Sequence, residues 1–361
     1  MFKDLSYICT LNLKLVKFKI FGVFVLIMMC FVSIAQDVHF SQAPNNYIYL
    51  NPANTGFGPK TNRVVGLYRD QYRTAFATFS TTFMSYDRRL VAWGNGCQLG
   101  GGVDFLYDKV GYGIISTFSP NISLAIGKYF NQGRQLLNIG ISSGFAFKKL
   151  NYSNLTFDNQ YIPLIGFDPN SASGEQLDNK HRIYPNLNFG INFSTALGDY
   201  SKLDIGAALA NLHQPNQSFL ANSVSRLPAR YTSYIKAFIG FANNEKWSLQ
   251  PAFVYNFQNK AQNILVIANV ETKFKETNRG NYLGLGFGAG YRIQDNDAMI
   301  ANISVLLGDL RIATSYDFNI SKYKPATKGF GAFELSLSYE WGEHENAQRS
   351  KNFKFGCPVV L

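Results

Sequence analysis

Apolar and polar residues alternate strictly in several long segments of the chain. From Leu283 to Ile293 every second residue is apolar, and the residues between them are four glycines and Arg292. The same alternation recurs in residues 137–148, 187–194 and 333–341. Successive side chains of a strand point to opposite faces, so each segment has one apolar face and one small or polar face. The pattern therefore predicts long β-strands.

Fourteen strands are expected, an even number, as a closed bacterial barrel requires. Strands of about ten residues or more are long for a soluble sheet and match the length that a tilted strand needs to cross a bilayer. A soluble β-sandwich is the alternative, but its strands are shorter. The expected strands lie at residues 62–73, 76–88, 97–107, 113–129, 135–149, 186–197, 201–212, 230–242, 246–257, 262–273, 282–293, 299–308, 310–320 and 331–342.

The predicted fold is all-β, a transmembrane antiparallel outer-membrane β-barrel of about fourteen strands over residues 62–342. Lumen-facing positions are expected to be mostly Gly, Ser, Asn and charged residues, with Arg69, Arg292, Asp317 and Glu334 as lumen charges. The longest connections, residues 150–185 and 213–229, both follow odd-numbered strands. They are therefore predicted to lie at the cell surface, with the short turns in the periplasm.

The N-terminus has the features of an export signal. Three lysines (Lys14, Lys17 and Lys19) precede an apolar run at residues 20–34, and Ser33-Ile34-Ala35 supplies small residues for cleavage before Gln36. Residues 1–35 are therefore predicted to be a signal peptide. The alternative, a transmembrane anchor, requires a longer apolar run.

Two short regions flank the predicted barrel. Residues 36–61, which contain Asn51-Pro52-Ala53, have the composition of irregular chain with fixed turns, and are expected to be a plug or periplasmic segment in contact with the barrel. Residues 343–361 are expected to form a periplasmic tail. Cys97 and Cys357 both fall on the periplasmic side, where they either form a disulfide or remain two thiols.

Composition and motifs do not indicate catalysis. Charged residues are 16% and aromatic residues 15% of the chain, and the net charge of +11 is scattered, without the basic runs typical of nucleic-acid binding. The glycines of residues 284–290 recur at every second position within a strand, unlike those of a phosphate loop. No enzyme activity, metal or cofactor is expected, because the four histidines are scattered and no nucleophile motif is present. Asp104 and Asp108 could form a carboxylate pair, but lumen charges are the preferred interpretation.

A set of short motifs runs through nearly the whole mature chain. The opening block contains residues 36–42 (QDVHFSQ), Leu50-Asn51-Pro52-Ala53 and Gly56. Further motifs are residues 68–72 (YRDQY), 85–87 (SYD), 226–228 (RLP), 290–292 (GYR), 316–317 (YD) and 357–358 (CP). Together these motifs resemble the PorP/SprF family, and the opening block is the most specific match. The chain departs from the family at Tyr72, where a Trp is frequent, and in its last three residues.

The resemblance implies a component of the type IX secretion system, in the outer membrane, that supports export or surface attachment of proteins with C-terminal sorting domains. Some family members serve adhesins used in gliding, and others belong to the core machinery with periplasmic ring partners. Candidate partner-binding or plug residues are Asp37, His39, Phe40, Gln42, Asn51, Pro52 and Ala53. The Asn-Pro-Ala block also resembles FadL-type channels for hydrophobic molecules, which is the alternative function. An outer-membrane enzyme is a third class.

Overall fold

The computed structural model describes residues 37–344, with gaps at residues 73–77, 94–95, 112–113, 152–154, 156, 163–165, 169, 172–180, 199, 221–222, 242–245, 277–281, 294–297, 322–323 and 328. The predicted signal peptide lies outside the described residues. The predicted tail beyond residue 344, including Cys357, also lies outside them, so its pairing with Cys97 stays a prediction.

Fourteen strands form one closed antiparallel barrel, which confirms the predicted fold class. They are β1 (Lys60–Gln71), β2 (Phe79–Ala92), β3 (Cys97–Val110), β4 (Ile115–Phe130), β5 (Gln135–Leu150), β8 (His181–Ala196), β9 (Ser201–Ala210), β10 (Arg230–Gly240), β11 (Trp247–Gln258), β12 (Ala261–Glu276), β13 (Tyr282–Ile293), β14 (Ala298–Leu307), β15 (Leu310–Asn319) and β16 (Phe330–His344). A separate two-stranded sheet joins β6 (Tyr161–Ile162) and β7 (Gly166–Phe167).

Most strand boundaries lie within three residues of the predicted ones, and β13 matches exactly in both ends. The largest difference is β8, which begins at His181, five residues before the predicted start. Its first residues pair with β5, from Lys149↔His181 onward. This long-range pairing extends the strand through residues whose own alternation is weak.

Short helical turns complete the secondary structure. They are Ala43–Asn45, Tyr47–Leu50, Pro52–Asn54, Asn131–Gly133, Asp158–Gln160 and Lys324–Thr327. Among the described residues, none of the helices has the length and apolar character needed to cross a membrane.

Side chains alternate between the outer wall and the interior, as the sequence pattern predicts. Phe287 at the middle of β13 points outward with 57% of its surface exposed. The neighbouring Gly288 points inward, and a Cβ atom there would contact the side-chain amide of Asn269 on β12. Small inward residues on β13 therefore leave room for the larger polar side chains of the adjacent strands.

The interior is less uniformly polar than the alternation of residues predicts. Val254 on β11, Leu265 and Ile267 on β12 and Ile300 on β14 are inward-facing and buried. They form one apolar cluster with Leu50, which belongs to the chain before β1. The expectation of a mainly polar lumen was wrong on this side of the barrel, because these residues bury the apolar side chains of that segment rather than contact water.

The two ends of the barrel differ in their connections. We call the end where β1 begins and β16 ends the terminal rim, and the other end the opposite rim. The connections between β5 and β8 and between β9 and β10 begin and end at the opposite rim, whereas turns at the terminal rim include the four residues 131–134. The long connections therefore share one rim, as their odd-numbered positions predicted.

One wall of the barrel extends further at the opposite rim. Strands β4, β5 and β8 each have 16 residues, but β9 has only 10. β8 pairs with β9 only from Phe189 to Ala196, and the carbonyl of Leu187 accepts a hydrogen bond from the backbone N–H of Leu212 at 3.0 Å. Among the described residues, no backbone group pairs with residues 181–186, which include Pro185, on that side.

The outward position of Phe287 gives a test of the barrel in its membrane. We expect Phe287→Arg to lower the free energy of unfolding by about 2–4 kcal/mol, because a charge at mid-strand then faces hydrocarbon. Phe287→Leu is the matched control and should cost less, since it keeps the site apolar. Unfolding in lipid vesicles by denaturant titration measures both. Equal losses for the two variants would contradict an outward, lipid-facing position.

The shared rim of the long connections gives a test of orientation. Tyr161 and Val224 lie in these connections and are 67% and 69% exposed. In a chain with Cys97→Ser and Cys357→Ser, cysteines replacing Tyr161 or Val224 should react with an impermeant maleimide on intact cells. Leu197→Cys, at the terminal rim, should react only after the outer membrane is opened. The reverse result would invert the orientation.

Candidate functional site

Residues 37–59, which we call the N-terminal segment, run through the interior of the barrel. At one end the backbone N–H of Asp37 donates to Oε1 of Gln258, the last residue of β11 at the opposite rim, at 2.7 Å. At the other end the N–H of Gly56 donates to Asp87 of β2 at 2.7 Å, and β1 then begins at the terminal rim. The segment therefore crosses the interior from the opposite rim to the terminal rim before the first strand.

At the opposite rim the segment is held by polar contacts with the starts and ends of strands. The Asp37 carboxylate accepts a hydrogen bond from the side-chain amide of Asn211 at 2.9 Å and lies 3.8 Å from the guanidinium of Arg230. Arg230 also contacts the ring of Tyr49, with 4.4 Å from its guanidinium carbon to the ring centroid. The Tyr49 hydroxyl donates to the carbonyl of Val38 at 2.6 Å, so the segment folds back on itself here.

The four predicted lumen charges come together in one place, although they lie on four different strands. Arg69, Arg292, Asp317 and Glu334, which we call the ionic cluster, are each at most 3% exposed. Asp317 pairs with Arg292 at 2.9 Å and with Arg69 at 3.1 Å, and Arg69 also pairs with Glu334. Two cations and two anions make the cluster formally neutral, which buried charges require.

The ionic cluster binds the N-terminal segment at Ser41 and Gln42. Their backbone N–H groups donate to the two carboxylate oxygens of Glu334 at 2.6 and 2.8 Å. The Ser41 hydroxyl donates to Asp317 at 2.6 Å. The Gln42 side chain accepts from the hydroxyl of Ser336 at 2.6 Å. The carboxylates thus satisfy both the arginines and the backbone of a buried irregular segment.

The Asn51-Pro52-Ala53 block lies against β5 and β8 in the middle of the barrel. The Asn51 side-chain carbonyl accepts from the N–H of Ala53 at 2.8 Å and starts the helical turn Pro52–Asn54. Its amide donates to the carbonyl of Ile191 at 2.9 Å. A Cβ atom at Gly190 would collide with Asn51, and one at Gly140 would collide with the Pro52 carbonyl. Glycine on both strands is therefore what allows the block to approach the wall.

A second ion pair, outside the set of predicted lumen charges, holds the segment near the terminal rim. Arg63 on β1 pairs with Asp87 on β2 at 2.7 Å, and both are buried. Asp87 accepts from Gly56, and Arg63 donates to the carbonyl of Asn54 at 3.0 Å. The signal was available, because Arg63 and Asp87 occupy inward positions of successive strands that pair directly in register.

Apolar side chains of the segment also pack against the barrel. Phe40, which is 4% exposed, contacts Leu67 and Phe83 and meets the Tyr49 ring edge-on at 5.2 Å between centroids. Leu50 joins the apolar cluster of β11, β12 and β14 described above. Polar and apolar contacts therefore alternate along the whole segment.

A small cavity lies beside the segment among the described residues. It has a volume of about 20 Å³ between the segment and the wall, which is room for about one water molecule. Its lining includes His39, Asn46 and Leu50 of the segment and Arg230 and Leu265 of the wall. His39 thus lines this small cavity and is partly buried.

The remaining candidate chemistry is dispersed. Asp104 accepts from the amide of Asn121 at 2.8 Å, and Asp108 accepts from the hydroxyl of Thr81 at 2.7 Å. Each carboxylate therefore accepts a hydrogen bond from a side chain of a neighbouring strand, and the two carboxylates do not form a pair. Within the part of the chain that the structure describes, no group of three or more His, Cys, Asp or Glu residues is arranged to hold a metal ion.

Comparison with known families identifies the chain. A family model described as "Type IX secretion system membrane protein PorP/SprF" matches residues 32–339. The chain belongs to this family. It is therefore an outer-membrane β-barrel component of the type IX secretion system, and the resemblance noted in the sequence is confirmed. No curated protein matches the chain.

Solved barrels share low sequence identity with this PorP/SprF family member. The Ralstonia pickettii toluene transporter TbuX is 11% identical with a TM-score of 0.47, over 81% of this chain and 92% of that one. The Pseudomonas putida toluene transporter TodX is 12% identical with a TM-score of 0.45, over 82% and 93%. CdiB from Acinetobacter baumannii is 9% identical with a TM-score of 0.43, over 78% of this chain and 60% of CdiB, so the chain spans less than two thirds of that protein.

The contacts of Glu334 predict a specific effect on the N-terminal segment. Glu334→Gln removes one of the two carboxylates that pair with Arg69 and leaves the buried cluster with an excess positive charge, so it should lower the free energy of unfolding by about 3 kcal/mol. It should also expose the segment, because Ser41 and Gln42 lose a charged acceptor. A cysteine replacing the partly buried Ala43, in a background lacking Cys97 and Cys357, should then react faster with maleimide.

Glu271→Gln is the matched control for Glu334→Gln. Glu271 is a buried lumen carboxylate that pairs with Arg311 and accepts from Gln250 at 2.7 Å. Its loss should destabilise the barrel to a similar extent but leave the labelling rate of the cysteine at position 43 unchanged. Faster labelling in both variants would mean that the ionic cluster has no special role in holding the segment.

Proposed function

We propose that this PorP/SprF family member is a non-enzymatic component that supports export or surface attachment of sorting-domain proteins, such as adhesins, gliding proteins or secreted enzymes. The family match over residues 32–339 is the observation that carries this proposal. Other secretion components and the exported proteins are the expected partners, and lipid is the expected surroundings of the outer wall.

We further propose that the N-terminal segment is a plug and that the barrel does not conduct its cargo. The segment occupies the interior from Asp37 to Gly56, and the cavity beside it holds about one water molecule. A barrel of this size filled by its own side chains is too narrow for a folded domain. An adaptor or anchor that works beside a larger channel fits these dimensions.

Partner binding then belongs to the rims rather than to the side chains of the segment. Gln42, Asn51 and Ala53 are at most 1% exposed, and Phe40 is 4% exposed. Their hydrogen bonds and apolar contacts are made with the barrel, so a partner cannot reach them while the segment stays in place. Asp37 at the opposite rim is the candidate residue that remains closest to a surface.

The alternative function is a FadL-like channel for hydrophobic molecules, and one observation favours it. The apolar cluster of Val254, Leu265, Ile267 and Ile300 offers a surface inside the barrel that would suit such a molecule. In the structure Leu50 occupies this surface. Transport by this route therefore requires the middle of the N-terminal segment to move away from β11, β12 and β14.

Gene deletion separates the two functions. Without this chain, particular sorting-domain proteins should disappear from the cell surface while uptake of a hydrophobic compound such as toluene stays normal. Surface proteomics of the deletion strain, complemented with the wild-type gene, measures the first effect, and radiolabelled uptake measures the second. Normal surface display with lost uptake would refute the secretion role and favour the channel.

A variant at the opposite rim refines this test. Asp37→Ala removes the contacts with Asn211 and Arg230 and should reduce surface display severalfold if this end of the segment contributes to a partner surface. Barrel abundance, measured by immunoblot, should stay normal, because the ionic cluster still holds Ser41 and Gln42. Loss of display only in proportion to lost barrel would assign Asp37 a purely structural role.

A further inference from the structure

Basic residues form a row on the outer wall at the opposite rim. Lys109 on β3, Ser116 on β4, Lys149 on β5 and His181 on β8 are successive partners in the strand register. Lys109, Lys149 and His181 are outward-facing and exposed. Neighbouring strands are about 4.8 Å apart, so the row from Lys109 to His181 spans about 14 Å.

Aromatic rings lie directly beside this basic row, on the side towards the middle of the barrel. The next outward residues in the same register are Tyr107, Phe118 and Phe147, which are 39–44% exposed. Phe118 stacks with Phe147 at 6.4 Å and with Phe105 of the following row at 6.3 Å between centroids. The ammonium group of Lys109 lies 5.2 Å from the centre of the Tyr107 ring.

Among the described strand residues, this combination of basic and aromatic side chains occurs on one arc of the barrel. In the halves of the other described strands that approach the opposite rim, outward positions carry no Lys, Arg or His. Arg69, Arg230 and Arg292 lie in those halves, but they contact interior groups. An aromatic girdle alone would surround the whole barrel. The clustered charges therefore indicate a local binding site on β3, β4, β5 and β8.

We propose that this arc binds the phosphorylated headgroup of lipid A, with its acyl chains lying along the aromatic rings. Basic side chains at a membrane surface attract phosphate by Coulomb forces and charge-assisted hydrogen bonds. The row is wide enough for a disaccharide with a phosphate at either end. Lipid A is the occupant expected at the opposite rim if the long connections face outside, because lipopolysaccharide forms the outer leaflet there.

Lipid binding to the purified full-length barrel in detergent tests this site directly. Wild-type protein should retain phosphorylated lipid A in native mass spectrometry. Lys109→Gln with Lys149→Gln should weaken the affinity about 25-fold, or about fivefold for each lysine near the headgroups. Lys149→Gln alone should show the smaller loss. Heat-modifiable migration on gels verifies that each variant is folded.

Lys128→Gln is the matched control for these lysines. Lys128 is also an exposed outward lysine beside an aromatic ring, with 5.7 Å from its ammonium to the Phe130 ring centroid, but it lies near the terminal rim. Lys128→Gln should leave the affinity for lipid A unchanged. Dephosphorylated lipid A is a second control, and its affinity for the wild-type protein should be as low as that of phosphorylated lipid A for the double variant. Unchanged binding by the double variant, an equal loss in Lys128→Gln, or equally tight binding of phosphatidylglycerol would overturn the proposal.

Discussion

The pairing of β1 with β16 closes the hydrogen-bonded ring on which the rest of the structure depends. In hydrocarbon an unpaired backbone N–H or C=O costs several kcal/mol, so a sheet can span a membrane only when it has no open side. The register from Asn62↔Trp341 to Gln71↔Ala332 supplies this closure. It also brings Arg69 opposite Glu334, and therefore assembles half of the ionic cluster in the same step.

Closure creates an interior that must then be filled. The N-terminal segment fills it with matched chemistry, since its backbone N–H groups meet carboxylates and its apolar side chains meet the apolar cluster. Each component satisfies groups of the other. The carboxylates of Asp317 and Glu334 accept hydrogen bonds from Ser41 and Gln42, and Leu50 packs into the apolar cluster. The wall and the segment therefore depend on each other for these contacts.

The sequence predicted the wall better than the interior, for a physical reason. Alternation is a local property that lipid on one side enforces along each strand, so fourteen strands could be located from the pattern. The interior contacts join distant residues, such as Ser41 and Asp317, and no local pattern reveals them. The inward charges were identified as a class, but their convergence on Ser41 was not. The apolar inward residues Leu265 and Ile267 were missed because they lie in an uninterrupted apolar run, residues 264–268, where no alternation distinguishes the two faces.

The length of strand β8 has a consequence for strand pairing between neighbouring molecules. Beyond Leu187 this strand extends past its short neighbour β9, so part of its backbone could template a strand from another molecule. Pro185 lies two residues from Leu187 on the same side and lacks the N–H that such an added strand would need as a donor. Pro185 therefore withholds a backbone donor at the position where an added strand would need one.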